Sequence, residues 1–334
     1  MNTEILSTHS QALFQEAVGR AAHWLRSGGV VALPTETVYG LAANALDPSA
    51  VARIYQIKGR PAHNPLIVHV ASQALLEDLF HPLPAMVEKL ARAFWPGPLT
   101  MVLPNSGKIP EIVTAGGQTV AVRWPSHPFM QAVIRECGFP LAAPSANLSN
   151  HISPTHADHV CAHLMGLIPL IVDGGQSQVG IESTVLDLTS SPPAILRPGM
   201  IHAGSLASVL GLMPTTAKPQ NGILKSPGQL SRHYSPKARV LVWSWTGESH
   251  LRKQLADSSL VPASTQILAH TCIPSDTGLA GVSVIPHDAE AFARALFAEW
   301  HRCDARGIRH IIVESPPDTP EWAGIWDRLL RASA

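Results

Sequence analysis

The residues able to do chemistry fall in a series of polar clusters, each directly behind a strand-like apolar run. Pro34-Thr-Glu-Thr-Val-Tyr-Gly40 follows Val30–Leu33 and gathers hydroxyls, a carboxylate and a phenol in one turn. Such a turn either fixes a small polar ligand or caps the next element through its own hydroxyls. Lys58-Gly-Arg-Pro-Ala-His-Asn-Pro65 is a proline-bounded cationic loop. Arg60 offers a planar fork for phosphate and Lys58 a mobile point charge, unless the two merely sit solvated at a helix C-terminus. His69, inside Leu66-Ile-Val-His-Val70, is either a ligand contact or a core imidazole. Arg123 closes the strand Val120-Ala-Val-Arg and suits bidentate capture of a carboxylate, or an ion pair at the domain surface.

Two more clusters follow. In Ala142-Ala-Pro-Ser-Ala-Asn147, small residues let a ligand approach the backbone while Ser145 and Asn147 offer uncharged donors. Ser149, Asn150 and Ser153 come close behind, and turn chemistry alone would also account for the segment. Gly174-Gly, Gly180-Ile-Glu-Ser-Thr184 and Arg197-Pro-Gly199 add a glycine-rich loop, two hydroxyls and one more cation. Together the clusters describe one pocket carrying Lys58, Arg60, Arg123 and Arg197. No serine or cysteine nucleophile has a partner base in view, and no phosphate-loop, dinucleotide, zinc-protease or nucleophile-elbow motif is present. That pattern fits phosphate-rich chemistry run by positioning and charge neutralisation, without covalent catalysis.

The elements that must hold these clusters alternate. Leu13, Val18, Ala21, Ala22 and Leu25 share one helical face, ended by Gly28-Gly29. Asp47-Pro48 opens a helix through Ile57. Helices are expected near 72–80, 84–94 and 128–137, and strands at 66–70, 99–103, 119–123, 141–143, 170–173, 184–188 and 194–196. The order predicts an α/β domain with a mixed, twisted sheet over residues 1–210. Residues 211–237 read as a linker rich in Pro, Thr and Gly. Strand-like runs at 240–245, 266–269, 282–285 and 308–313, with helices at 288–303 and 320–332, predict a smaller C-terminal α/β domain over 238–334.

Composition bounds the partners. In 334 residues, Lys+Arg 24 balances Asp+Glu 24, and only 14% of residues are charged, against about 25% in ordinary globular chains. With 46% apolar residues, a core is affordable. Zero net charge argues against a bulk electrostatic grip on nucleic acid or anionic membrane, so the ligand is expected in a pocket. The four cysteines are widely spaced, which reads as reduced thiols in a cytoplasmic protein. No signal peptide or membrane-spanning run is apparent.

The motifs also occur in a specific order. Pro34–Gly40, Lys58-Gly-Arg60 with Asn64-Pro-Leu-Ile-Val-His69, Trp95-Pro-Gly-Pro-Leu-Thr100, Val120–Arg123, Pro144-Ser-Ala-Asn147, Gly180–Thr184 and Leu196–Gly199 are collinear. The set resembles the YrdC-like threonylcarbamoyl-AMP synthase family. Ser226-Pro-Gly and Arg232-His-Tyr-Ser-Pro236, with the C-terminal domain, resemble its long two-domain form. The resemblance implies an open α/β sheet with a concave cationic cavity and a Rossmann-like second domain. It implies that L-threonine, bicarbonate or CO2 and ATP, with Mg2+, give threonylcarbamoyl-adenylate and pyrophosphate. That product feeds N6-threonylcarbamoylation of adenosine 37 by downstream tRNA threonylcarbamoyl transfer machinery. By motif, Lys58, Arg60, Ser145 and Asn147 match positions at the nucleotide and its phosphates, and are the expected catalytic set. Asn64, Thr119, Ser153 and Arg197 match further ATP contacts, and Tyr234 a linker residue reaching over the nucleotide. Thr37, His69, Arg123, Ala143 (through its backbone) and Ser183 match positions that hold threonine, with Arg123 on its carboxylate. No protein ligands for a metal are expected. Gln229-Leu-Ser231 departs from the Met-basic-aromatic triplet expected after Ser226-Pro-Gly. Two rivals are a non-catalytic RNA-binding module using the same cavity, and a carbamoyl-adenylate transferase fed by carbamoyl phosphate. Balanced charge counts against the first and the lack of cysteine pairs against the second.

Overall fold

The computed structural model describes residues 2–216, 224–228 and 234–333. The strands of its larger sheet are β1 (Glu4–Ser7), β2 (Val31–Leu33), β3 (Gly40–Asn44), β4 (Ile67–His69), β5 (Leu99–Pro104), β6 (Thr119–Arg123), β7 (Leu141–Ala142), β8 (Leu170–Asp173), β9 (Thr184–Asp187), β10 (Ala194–Arg197) and β11 (Thr215–Thr216). They run in the order β1-β8-β2-β3-β7-β4-β6-β5-β9-β10-β11. It holds both parallel and antiparallel pairs, so the sheet is mixed, as expected. The smaller sheet holds β12 (Arg239–Trp243), β13 (Thr265–Ala269), β14 (Gly281–Val284) and β15 (His310–Glu314). Its order is β12-β15-β13-β14 and every pairing is parallel, the arrangement of a small Rossmann-like domain.

Local signals set the helix ends. Asp47 accepts from the Ser49 and Ala50 amides and Pro48 starts the helix, which closes on Gly59 at φ 59. Ser10 and Ser72 cap their helices in the same way. Thr215–Thr216, inside the segment read as linker, adds an edge strand to the large sheet by pairing with β10. The strand Gly40–Asn44 was not read from sequence, because Gly-Leu-Ala-Ala-Asn carries neither β-branched residues nor alternation.

The pleat decides where a ligand can sit. Val68, Met101, Leu103, Val120, Val122 and Leu186 point into the main core. Their strand neighbours Ile67, Val102, Ala121 and Val185 gather on the opposite face in a small apolar cluster. His69, Thr100, Arg123 and Ser183 share that second face by the period of two. The two domains have a common core: Val38, Ile152 and Ile181 of the first pack with Phe292, Phe297, Trp300 and Trp322 of the second. Among the described residues, no helix is long and apolar enough to cross a membrane.

Candidate functional site

Sheet register builds the first end of the cleft. His69 pairs with Arg123 across β4 and β6, and Arg123 with Thr100 across β6 and β5. Arg123 is buried and fully engaged on one side. Its Nη1 donates to Thr37 Oγ1 at 2.9 Å, its Nε to Gly97 O at 3.3 Å, and its Nη2 lies 2.7 Å from Glu36 Oε1. The ion pair weighed for Arg123 at a domain surface therefore lies in the interior. Burial alone would raise the Glu36 carboxyl, but the Arg123 charge and the Ser126 amide hold it below the ordinary carboxylate value. Thr35 organises this turn by accepting from the Thr37 and Val38 amides. His69 is pushed down to about 3 by burial and then by the Arg123 charge, so it is a neutral imidazole. Its Nδ1 has no partner among the described residues.

The other end is built from loops. Gly40 bridges to Ser145, bringing the Ala143–Ser145 turn onto the cleft. Arg60 reaches in from the loop after the helix Pro48–Lys58. It is fixed by Asn64, which accepts Nε through its carbonyl at 3.0 Å and Nη2 through Oδ1 at 2.6 Å. Arg197 donates Nε to Ser183 O at 3.1 Å and Nη2 to Ser183 Oγ at 3.2 Å. Ser183 also meets Thr100 Oγ1 at 2.8 Å. Pro227 and Tyr234, flanking the linker's Gly228, complete the wall. Tyr234 is buried and held at φ 61, a left-handed conformation rare for an aromatic residue.

The structure thus brings Thr37, Arg60, His69, Arg123, Ala143, Ser145, Ser183, Arg197 and Tyr234 to one cleft. Lys58, Asn64, Asn147 and Ser153 brace the cleft residues from behind, and Thr119 lies further off. Lys58 does not line the cleft: its ammonium donates to Ser145 O at 2.6 Å and to Asn147 O, bracing the turn from beneath. Burial, followed by the nearby Arg60 charge, lowers its pKa well below the ordinary lysine value. Asn147 ties the same turn to Leu148 and His151 through its amide nitrogen. Asn64 acts on Arg60, and Ser153 donates to Glu182 Oε1. Thr119 lies four positions before Arg123 in β6, beyond the cleft lining. Gln229, Leu230 and Ser231 lie outside the described residues.

Sequence reasoning read the Glu36 carboxylate and the Tyr39 phenol only as groups that could fix a ligand, and gave Glu182 no role. Tyr39 holds the glycine-rich loop, donating to Gly175 O at 2.7 Å and accepting from the Gly174 amide at 3.1 Å. All three sat inside quoted motifs, so the signal was present while their partners were not visible.

Charge is distributed unevenly along the cleft. Arg123 is balanced by Glu36, and Glu182 by Arg328. Arg60 and Arg197, both buried, have no carboxylate partner among the described residues. Burial pushes Arg60 down to about 10, with Tyr55 and Tyr234 opposing and Arg197 adding to the fall. Two buried guanidinia without a counter-charge are costly unless an anion joins them. Among the described residues, no group of three or more His, Cys, Asp or Glu could hold a metal ion.

The fold and site define an open mixed-sheet α/β enzyme with an anion-seeking cleft, joined to a small parallel-sheet domain. Residues 23–199 match the family model described as "Telomere recombination", and residues 201–334 the model described as "Threonylcarbamoyl-AMP synthase, C-terminal domain". The threonylcarbamoyl-AMP synthase of Pyrococcus abyssi is 40% identical over 319 residues, covering 94% of this chain and 93% of that protein. The Bacillus subtilis protein of the same name is 40% identical over 341 residues, covering 99% and 95%. The crystal structure of P. abyssi Sua5 complexed with L-threonine superposes with a TM-score of 0.89 at 38% identity, covering 99% of this chain and 98% of that one. The chain belongs to the threonylcarbamoyl-AMP synthase family.

Proposed function

We propose that the cleft condenses L-threonine, CO2 or bicarbonate, and ATP into threonylcarbamoyl-adenylate and pyrophosphate. The uneven charge carries this reading. The Arg60–Arg197 end lacks counter-charge and suits a triphosphate, whereas the Arg123–Glu36 end is balanced and suits a zwitterion. Family membership and the threonine-bound relative support the same reading.

In this reading Arg60, Asn64, Ser145, Asn147, Ser153, Arg197 and Thr119 serve the nucleotide, with Tyr234 covering it. Of its five N–H donors Arg123 spends two on Gly97 and Thr37 and turns Nη2 towards Glu36 as an ion pair, which leaves N–H groups on both terminal nitrogens for the threonine carboxylate. Thr37, His69, Ser183 and the Ala143 backbone surround the rest of the amino acid. His69 is too weak a base to hold a proton at neutral pH, so it orients substrate by hydrogen bonding.

The free threonine amine attacks the carbon of CO2, one C=O bond opens onto its oxygen, and the nitrogen's proton passes to solvent water, giving the carbamate. A carbamate oxygen then attacks the α-phosphorus in line, and the bond to the bridging oxygen breaks as pyrophosphate leaves. Arg60 and Arg197 neutralise the charge on the transferring and departing phosphates. Mg2+ enters as part of the MgATP substrate. Lys58 keeps the Ser145–Asn147 turn in place for the nucleotide. The labile carbamate needs exclusion of water, to which Pro227 and Tyr234 contribute as part of the cleft wall. The product passes to tRNA threonylcarbamoyl transfer machinery, with no strong tRNA grip required of this charge-balanced chain. We place the reaction in the cytoplasm, where its four free thiols stay reduced.

The test supplies purified protein with MgATP, threonine and bicarbonate and measures pyrophosphate. Threonine- and bicarbonate-dependent release is expected. Its absence, with tight salt-sensitive tRNA binding instead, would favour a non-catalytic RNA-binding module.

A further inference from the structure

One side chain of the second domain touches several parts of the cleft wall at once. Arg328 lies on the terminal helix Ala323–Ser333 and is fully buried. Its Nε donates to Glu182 Oε2 at 2.8 Å and its Nη2 to Glu182 O at 3.0 Å. Its Nη1 donates to Pro198 O at 2.8 Å and meets Asp327 Oδ2 at 3.0 Å. Its guanidinium carbon lies 5.2 Å from the Tyr234 ring centroid. One planar group therefore contacts three parts of the cleft wall: the Glu182–Ser183 loop, the Arg197-Pro198-Gly199 turn and the linker tyrosine.

Glu182 passes the constraint on. It lines the cleft and its second oxygen accepts from Ser153. The next residue, Ser183, holds Arg197 through both its carbonyl and its hydroxyl. Backbone packing enforces the docking. A Cβ on Gly324 would stand 2.9 Å from Gly199 Cα, so the terminal helix lies directly against the Arg197–Gly199 turn.

We propose that Arg328 is a positioning residue for the nucleotide end of the cleft: it sets Glu182, and through it Ser153, Ser183 and Arg197, in the arrangement that receives ATP. Within this fold the small domain completes the first domain's site. The proposal rests on the synthase reading, and concerns chiefly the ATP half of the reaction.

A plain truncation would strand Glu182 as a buried, unpaired carboxylate and could unfold the protein. The test therefore compares three full-length proteins: wild type, Arg328→Lys, and the double variant Arg328→Met/Glu182→Gln, which removes both charges together. Folding is followed by thermal melting, ATP and threonine binding by calorimetry, and turnover by pyrophosphate release. The double variant is expected to melt near wild type while its ATP Kd and ATP KM rise at least tenfold and threonine Kd, which shares only Ser183 with this end, rises severalfold less. Arg328→Lys keeps the charge but loses the fork, and should raise ATP KM severalfold. If the double variant folds and keeps ATP Kd and KM within twofold of wild type, Arg328 is merely structural. Equal weakening of ATP and threonine would also overturn the proposal. Failure of wild type to turn over would count against the synthase reading, while the ATP Kd comparison would still decide the role of Arg328.

Discussion

Arg123 and Glu36 form a buried ion pair at 2.7 Å, with side chains only 4% and 8% exposed, at the end of the cleft assigned to the amino acid. The pair does two things. It lets a guanidinium stay charged in the interior, and it leaves that guanidinium with donors to spare for a carboxylate.

Removing one partner should therefore cost more than removing a surface charge. Glu36→Ala is expected to destabilise the fold by about 3–5 kcal/mol, because Arg123 is left buried and unpaired. Thermal melting checks this. Glu36→Gln, which still accepts a hydrogen bond, should lie between Glu36→Ala and wild type. Identical melting of all three proteins would show that the pair contributes nothing to stability.

The unbalanced end makes a different demand. Arg60→Ala and Arg197→Ala each delete charge-assisted hydrogen bonds to phosphate worth about 1.5–3 kcal/mol, or roughly 10- to 150-fold in kcat/KM for ATP. Neither removes an ion pair, so their melting temperatures should fall less than that of Glu36→Ala. Steady-state kinetics with ATP as the varied substrate would reveal the effect. A threonine KM that rises while ATP parameters hold would reverse the assignment of the two ends.

Acid sensitivity should come from the buried histidines: His69 in the cleft, pushed down to about 3, and a pair at the domain seam. His159 of the helix Ala157–Leu164 stacks on His301 of the helix Ala289–Ala305 at 3.8 Å between ring centroids. His151, His156 and His163 surround the pair, and Lys58, Lys237 and Asp304 face His163. Burial, then neighbouring histidines, pushes His159 down to about 3; burial pushes His301 down to about 4. The folded form thus refuses protons that the unfolded chain takes up from about pH 6.5. Stability is intact above that value and falls as pH drops towards 4. Glu36, held low by Arg123, adds its loss only below the ordinary carboxylate range. Melting temperatures measured from pH 7.5 to 4.5 should show the decline, and His159→Asn/His301→Gln should reduce its slope while the His69 share remains. A wild-type profile flat to pH 5 would contradict this.

Gly180 is fixed by contact as well as conformation. It sits at φ 83, and a Cβ there would lie 2.4 Å from Arg294 Cα of the second domain. Gly138 has a similar φ of 76 but open space around it. Gly138→Ala should cost about 1 kcal/mol for the left-handed conformation alone, and Gly180→Ala on the order of 2–3 kcal/mol or more. Equal melting shifts for the two would show that the domains do not press together at this point.

How much of this was legible in the sequence depends on the range of the signal. His69, Arg123 and the Ser145–Asn147 turn could be found because residue type, strand end and turn chemistry coincide within a few positions. The helix opening at Asp47-Pro48 was legible for the same reason. Lys58 was legible as a cation, but its use in holding two backbone carbonyls depends on a turn nearly ninety positions away. Glu36 stood inside a quoted motif, yet only the folded contact between its turn and β6 shows that it neutralises Arg123. Arg328 was invisible: it meets Glu182 across 146 positions and a domain boundary, in a helix whose sequence reads as ordinary amphipathic surface.

The most direct test of the central claim follows the carbon of bicarbonate. Purified protein is incubated with MgATP, threonine and 13C-bicarbonate, and the adenylate product is analysed by mass spectrometry. The expected product is threonylcarbamoyl-adenylate carrying the label in its carbamoyl group, with pyrophosphate released in equal amount. An unlabelled threonyl-adenylate, or no adenylate at all, would contradict the account.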